Sequence, residues 1–208
     1  MSNNADVSAV TEMLGVAERE HAAASRRFVP NDRFLYAVWG IAWTIGFLGL
    51  WLSSGSNPRV DAAVAAGWLY GSLMVIAGVV TAVHIARRVS GVRGHSQILG
   101  QQFAATWFVA FASYGMVLGG LGRAAVAENV TRLLAPVLAC FIVGLVYMSG
   151  GALWNDRRQF LLGVWICLVS GTAALVGNPG HLLVLAIGGG GGFLVAAAIA
   201  GTRVRVAQ

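Results

Sequence analysis

The chain has 208 residues, of which 57% are hydrophobic and only 11% charged, and its mean hydropathy is +0.73. A soluble domain carries about 25% charged residues, so this composition excludes an ordinary soluble globular fold and indicates a membrane protein. The net charge of +6 does not make it a nucleic-acid binder, because the basic residues lie between apolar runs rather than along one face.

Residues 1–30 are polar and hold no spanning run, yet Val7, Val10, Leu14, Ala17, His21, Ala24 and Phe28 recur at spacings of three and four. That spacing predicts an amphipathic helix. Two uses fit it: docking a cytosolic partner through residues 1–30, with Val7, Val10, Leu14 and Phe28 as the anchors, or lying flat on the bilayer or on the protein's own inner face. The weak Ala17, His21 and Ala24 in the stripe favour the second. Pro30 then stops this helix and Asp32 can cap the next.

Six apolar runs follow, at 34–52, 62–85, 103–121, 133–153, 160–176 and 182–201. Each is long enough, at about 1.5 Å per residue, to cross a hydrocarbon core of about 30 Å. Helices are required, since backbone groups in lipid must be satisfied within their own segment, and barrel strands would be about half as long. The expected fold is therefore all-α and polytopic. It comprises a cytoplasmic amphipathic segment over 1–33, a six-helix transmembrane domain over 34–201 built as three hairpins, and a short basic tail over 202–208.

Orientation follows from the arginines, which make up all fourteen basic residues. Eleven fall on one side: Arg19, Arg26, Arg27, Arg33, Arg87, Arg88, Arg93, Arg157, Arg158, Arg203 and Arg205. Arg59, Arg123 and Arg132 are the three on the other. Positive charge stays inside, so both termini are expected in the cytoplasm of a bacterial cell, with the chain in the inner membrane. Ser53 to Pro58 and Gly177 to Gly180 read as the outer turns of the first and third hairpins.

A repeat runs through the three pairs. Trp39, Trp107 and Trp165 lie near the start of the odd-numbered runs, and arginines end the even-numbered ones. Each pair also holds one Gly-x-x-x-Gly: Gly67 with Gly71, Gly115 with Gly119, and Gly188 with Gly192. Such pairs let helix backbones approach closely, which drives association in lipid. With 28 glycines in the chain, chance pairs compete with a true threefold repeat.

The stretch WGIAWTIGFLGLWLSSGSNP from Trp39 to Pro58, followed by a Gly-rich apolar helix ending in Ala86-Arg87-Arg88, resembles the unit of the HdeD-like small six-helix bacterial membrane proteins. The resemblance is one of pattern and spans residues 36–205; the long polar segment before the first run departs from that family's short start. It implies a six-helix membrane fold and a stress-related role in acid resistance, and carries no catalytic residues across.

Gly188 to Gly192 is a run of five glycines inside the last apolar segment. It reads either as an unwound stretch whose carbonyls bind an ion or as a smooth helical face for packing. Packing is favoured, because no intramembrane carboxylate accompanies the run. Ionisable groups inside a span are the default functional candidates, and few are available. His84, one turn before Arg87 and Arg88, is a candidate pH sensor whose charged form those arginines oppose; His181 at an outer helix start is a weaker one. Asp61 and Asp156 lie at span ends.

Cys140 and Cys167 fall in the fourth and fifth runs and could meet as a thiol pair, although thiols in apolar surroundings are usually inert. Tyr114, Tyr147, Ser149, Thr81, Ser170 and Thr172 are scattered hydroxyls that can bond to a preceding turn and need no ligand. Trp51 and Trp154 suit a membrane-interface belt, whereas Trp43 and Trp68 are expected to fill the bundle.

No phosphate loop, His-Glu-x-x-His, metal-ligand pair or Gly-x-Ser-x-Gly is present, and no dinucleotide fingerprint. The expectation is a non-enzyme without cofactor, metal or catalytic residues. Its partners would be the bilayer together with further copies of itself or another membrane protein. The leading reading is an integral membrane interaction or scaffold protein assembling through Gly-rich helix faces. The alternative is a small transporter or channel, as a homo-oligomer or as the membrane subunit of a larger complex.

Overall fold

Asp32, placed where the helix dipole favours a negative charge, opens the first helix of a computed structural model that describes residues 32–55, 60–89 and 95–206. The stripe expected at Val7, Val10, Leu14 and Phe28 lies outside these residues. The helices are α1 (Asp32–Ser53), α2 (Val60–Val89), α3 (His95–Arg123), α4 (Glu128–Leu153), α5 (Arg157–Val176) and α6 over 180–206. Within α6 a short α-helical start, Gly180–Val184, and a π-helical turn, Leu185–Gly190, precede the α-helix Gly191–Val206. Among the described residues, six helices are long and apolar enough to cross a membrane.

Local chemistry sets the helix ends. Ser53 and Ser54 turn their hydroxyls back onto the Leu50 carbonyl at 2.8 and 2.6 Å, closing α1. The Asp156 carboxylate accepts from the Arg158 and Gln159 amides at 2.9 and 3.2 Å, capping α5. Gly177 ends α5 at φ 76°, a conformation that suits a residue without a Cβ. α3 begins at His95, eight residues before its apolar run: Gln97, Gln101 and Gln102 are polar yet good helix formers, so the helix started in the span extends through them.

The helices pack in the order α2, α1, α6, α5, α4, α3. α4 packs closely on α5, and α1 lies along the whole of α6. α2 packs on α1 and α3 on α4, while α2 and α3 share no packed interface. At least a third of each span of α1, α4, α5 and α6 is buried, against 6% for α2 and none for α3. The contact face of α3 is one stripe, Leu99, Phe103, Trp107, Ala110, Tyr114, Leu118 and Leu121, at spacings of three and four. The four inner helices thus make the core, and α2 and α3 are applied to it along narrow lines.

At the centre, Phe193 of α6 meets Tyr36 and Trp43 of α1 and Tyr147 of α4, with ring centroids 6.3, 5.2 and 5.5 Å away. Trp43, Phe47, Ile166 and Leu185 are buried around it. Trp43 fills the bundle as its depth predicts, but Trp68 does not: it is 74% exposed on the outer face of α2. Depth along a span fixes the level of a side chain, not the direction in which its helix turns it.

Candidate functional site

The seams are made by glycines, and most of these lie outside the Gly-x-x-x-Gly pairs. A Cβ at Gly163 of α5 would lie 2.6 Å from both the Gly144 carbonyl oxygen and the Met148 amide nitrogen of α4. One at Gly151 would lie 2.7 Å from the Phe160 Cα, and one at Gly144 would lie 2.6 Å from the Cys167 Sγ. Gly144 and Gly151 are seven apart and therefore share a face. On α1, Gly40 receives Leu194 of α6 while Gly46 receives Tyr70 of α2, so one helix uses two glycines on two sides.

The glycine run is helical. Its π-helical turn widens the backbone, with the Gly191 amide directed at the Ala186 carbonyl five residues back. The run presses on α1 and α5: a Cβ at Gly190 would lie 2.7 Å from the Thr44 amide nitrogen, one at Gly189 2.9 Å from the Trp43 ring, and one at Gly188 3.0 Å from Val169. Gly192 lies under the Trp165 indole. That indole donates from Nε1 to the Gly188 carbonyl at 2.8 Å, while the buried Thr44 hydroxyl has no hydrogen-bond partner.

Gly67, Gly71, Gly115 and Gly119 behave differently. A Cβ at any of them would meet nothing within 4 Å, so the close contact expected at these four is not made among the described residues. The physical reason is rotational: α2 and α3 turn Tyr70, Met74, Trp107 and Tyr114 toward their neighbours and leave the paired glycines on other faces.

Each of the three tryptophans touches the helix that follows it, by three different means. Trp39 donates to the Thr81 hydroxyl at 3.0 Å, Trp107 sets its ring edge-on to Tyr147 at 6.1 Å, and Trp165 bonds the Gly188 carbonyl. Ser149, Ser170 and Thr172 bond back to the preceding turn, whereas Tyr114 reaches from α3 to the Ala135 carbonyl of α4 at 2.8 Å.

The cysteines stay apart in role. Both are free; Cys140 is buried, and Cys167 packs on Gly144 with its thiol 3.8 Å from the Phe141 carbonyl. His84 lies tilted against Phe34 with ring centroids 5.2 Å apart. His181 is buried, with no hydrogen bond completed at either ring nitrogen, and it faces the backbone of Gly177 and Arg132. Pro136 lies inside α4 and has no amide hydrogen to offer the Arg132 carbonyl, so His181 stands beside a carbonyl the helix leaves open. Nearby, Asn178 ties the turn before α6 to α4 through the Asn129 carbonyl at 2.6 Å.

A second polar cluster sits where arginines are dense. Asp32 and Tyr36 occupy one face of α1, one turn apart, and Tyr36 is buried. Asp156 and Arg158 at the start of α5 lie within electrostatic reach of both. In the sequence Asp32 reads only as a helix cap and Tyr36 only as part of the first apolar run. Their spacing of four was the available signal.

No family model, curated protein or solved structure matches the chain.

Proposed function

We propose that this chain is an integral protein of a bacterial cytoplasmic membrane, with both termini in the cytoplasm, and that it acts as an interaction scaffold without a catalytic centre. It assembles with further copies of itself or with another membrane protein. A stress-related setting rests on the HdeD-like pattern alone, and the orientation on the eleven-to-three division of arginines.

One observation carries this reading: α2 and α3 hold Gly67, Gly71, Gly115 and Gly119 on faces where nothing among the described residues approaches. Glycine is an unfavourable residue on a lipid-facing helix surface unless another backbone comes close. The test is the mass of the complex purified in mild detergent. Several copies or a bound membrane protein are expected for the natural chain, and Gly67→Ile combined with Gly115→Ile should release single chains. A natural chain that runs alone, or assembly untouched by the double substitution, would overturn the proposal.

A transporter or channel reading is favoured by a different observation, the π-helical turn at Leu185–Gly190 beside the unpartnered Thr44 hydroxyl, since such turns recur at functional sites. Proteoliposomes separate the two readings. Solute flux abolished by Gly190→Val would establish transport, and absence of flux from the natural chain leaves the scaffold.

A further inference from the structure

At the arginine-rich end, Asp32 and Tyr36 project from one face of α1, and that face turns inward, since Tyr36 is only 7% exposed. Its ring lies 6.3 Å from those of Tyr147 and Phe193, and Tyr147 is 6.1 Å from Trp107. Four aromatic rings from α1, α3, α4 and α6 therefore cluster about Tyr36, about one helical turn in from Asp32. Among the described residues the hydroxyls of Tyr36 and Tyr147 form no hydrogen bond, and Asp32 forms no ion pair. Tyr147 in turn feels both Tyr36 and Asp32.

Among the described residues, the other charges facing this point are Asp156 and Arg158. One Asp156 oxygen is taken by two amides of α5, and Arg158 offsets one of the two negative charges. Among the described residues a net single negative charge remains, with two phenolic oxygens and a cluster of four rings. Among the described residues, no three His, Cys, Asp or Glu side chains come together as metal ligands. A primary ammonium meets all of these features at once. It offers three donors and one positive charge to Asp32, Tyr36 and Tyr147, and the rings attract it through their faces.

We propose that Asp32, Tyr36 and Tyr147 form a binding site for a small organic cation, a protonated primary amine carrying an apolar group, entered from the arginine-rich end. This site is independent of the assembly reading and does not require the α2 and α3 glycines.

The test uses the full chain in detergent, titrated calorimetrically with benzylamine at neutral pH, where the amine is protonated. Benzyl alcohol serves as the uncharged analogue of the same shape. Saturable binding of benzylamine alone is expected. Asp32→Asn should weaken it about tenfold or more, as for loss of a charged hydrogen-bond partner, and Tyr36→Phe about fivefold. Thr106→Ala, on the exposed face of α3, should bind as the natural chain does. Equal binding of benzyl alcohol, no saturable binding of benzylamine, or natural affinity in Asp32→Asn would each overturn the proposal. Helix content by circular dichroism checks each variant. If Asp32→Asn does not fold, Tyr36→Phe, which removes one oxygen and no packing, decides by the same criterion.

Discussion

Replacing Gly163 by alanine separates close packing from mere glycine content. The added Cβ would sit 2.6 Å from two backbone atoms of α4, whereas ordinary contact begins at 3.4 Å; the two helices must therefore part by up to about 0.8 Å, the difference between those distances. Backbone cannot swing aside as a side chain can. A seam holding about 40 atom pairs at about 0.15 kcal/mol each is worth about 6 kcal/mol, and a gap of this size forfeits about a third, or about 2 kcal/mol. Alanine returns up to about 1 kcal/mol of helix propensity. The net loss is about 1–2 kcal/mol, within the usual range for overpacking. Gly67→Ala, where the Cβ meets nothing, should gain up to about 1 kcal/mol in the single chain. Both are measured by reversible unfolding in mixed micelles of rising SDS fraction. If Gly163→Ala unfolds at or above the natural chain's midpoint, the α4–α5 seam is not as close as described and the reasoning fails.

Other substitutions probe single contacts. Trp165→Phe removes the donor to the Gly188 carbonyl and should cost about 0.5–1.5 kcal/mol in the same unfolding assay; no change would show that the bond adds nothing. Asp156→Ala loses the cap of α5 and should cost about 1 kcal/mol, whereas Asp156→Asn, able to cap, should keep most of it. In a Cys167→Ser background, buried Cys140 should resist maleimide until the chain unfolds, and prompt labelling of the native protein would contradict its burial. With both native cysteines replaced, a cysteine at Ser54 should react with an impermeant maleimide from outside intact cells and one at Arg157 only after permeabilisation. The reverse pattern would invert the proposed orientation.

The six runs were legible because apolar length is a property of composition along the chain, and every run falls within a helix. The faces were much less so. Gly67 and Gly71 satisfy the spacing for close approach but not the rotation, since α2 turns Tyr70 and Met74 to α1 instead. Gly163 and Gly144 are the reverse case: neither belongs to a four-residue pair, and their closeness depends on α4 and α5 being partners, which spacing within one helix does not encode. Trp68 failed for the same reason as Gly67. The glycine run was legible as a packing surface, but its π-helical turn was not, because nothing in a string of identical residues marks where a hydrogen bond shifts by one. Asp32 and Tyr36 were visible as a pair four apart. Their significance came only when Tyr147 and Phe193 arrived from distant helices.

The packing order also says where this molecule can change without coming apart. The α4–α5 and α1–α6 seams bring backbone close to backbone, at Gly144 and Gly163 and at Gly190 and Thr44, so a displacement there strains atoms that have no alternative positions. α3 is held by one stripe, with Tyr114 to Ala135 as its hydrogen bond to α4, and α2 by a similar stripe with Trp39 to Thr81. An interhelical hydrogen bond of this kind is worth about 0.6 kcal/mol, so these bonds add little to the hold of either helix on the core. A partner arriving at Gly67 or Gly115 would therefore meet the less firmly held part of the fold. The Tyr36, Tyr147 and Phe193 cluster would be carried on the rigid part, except for Trp107, which belongs to α3. Trp107 touches Tyr147 and is thus the physical link through which movement of α3 would reach the centre of the bundle.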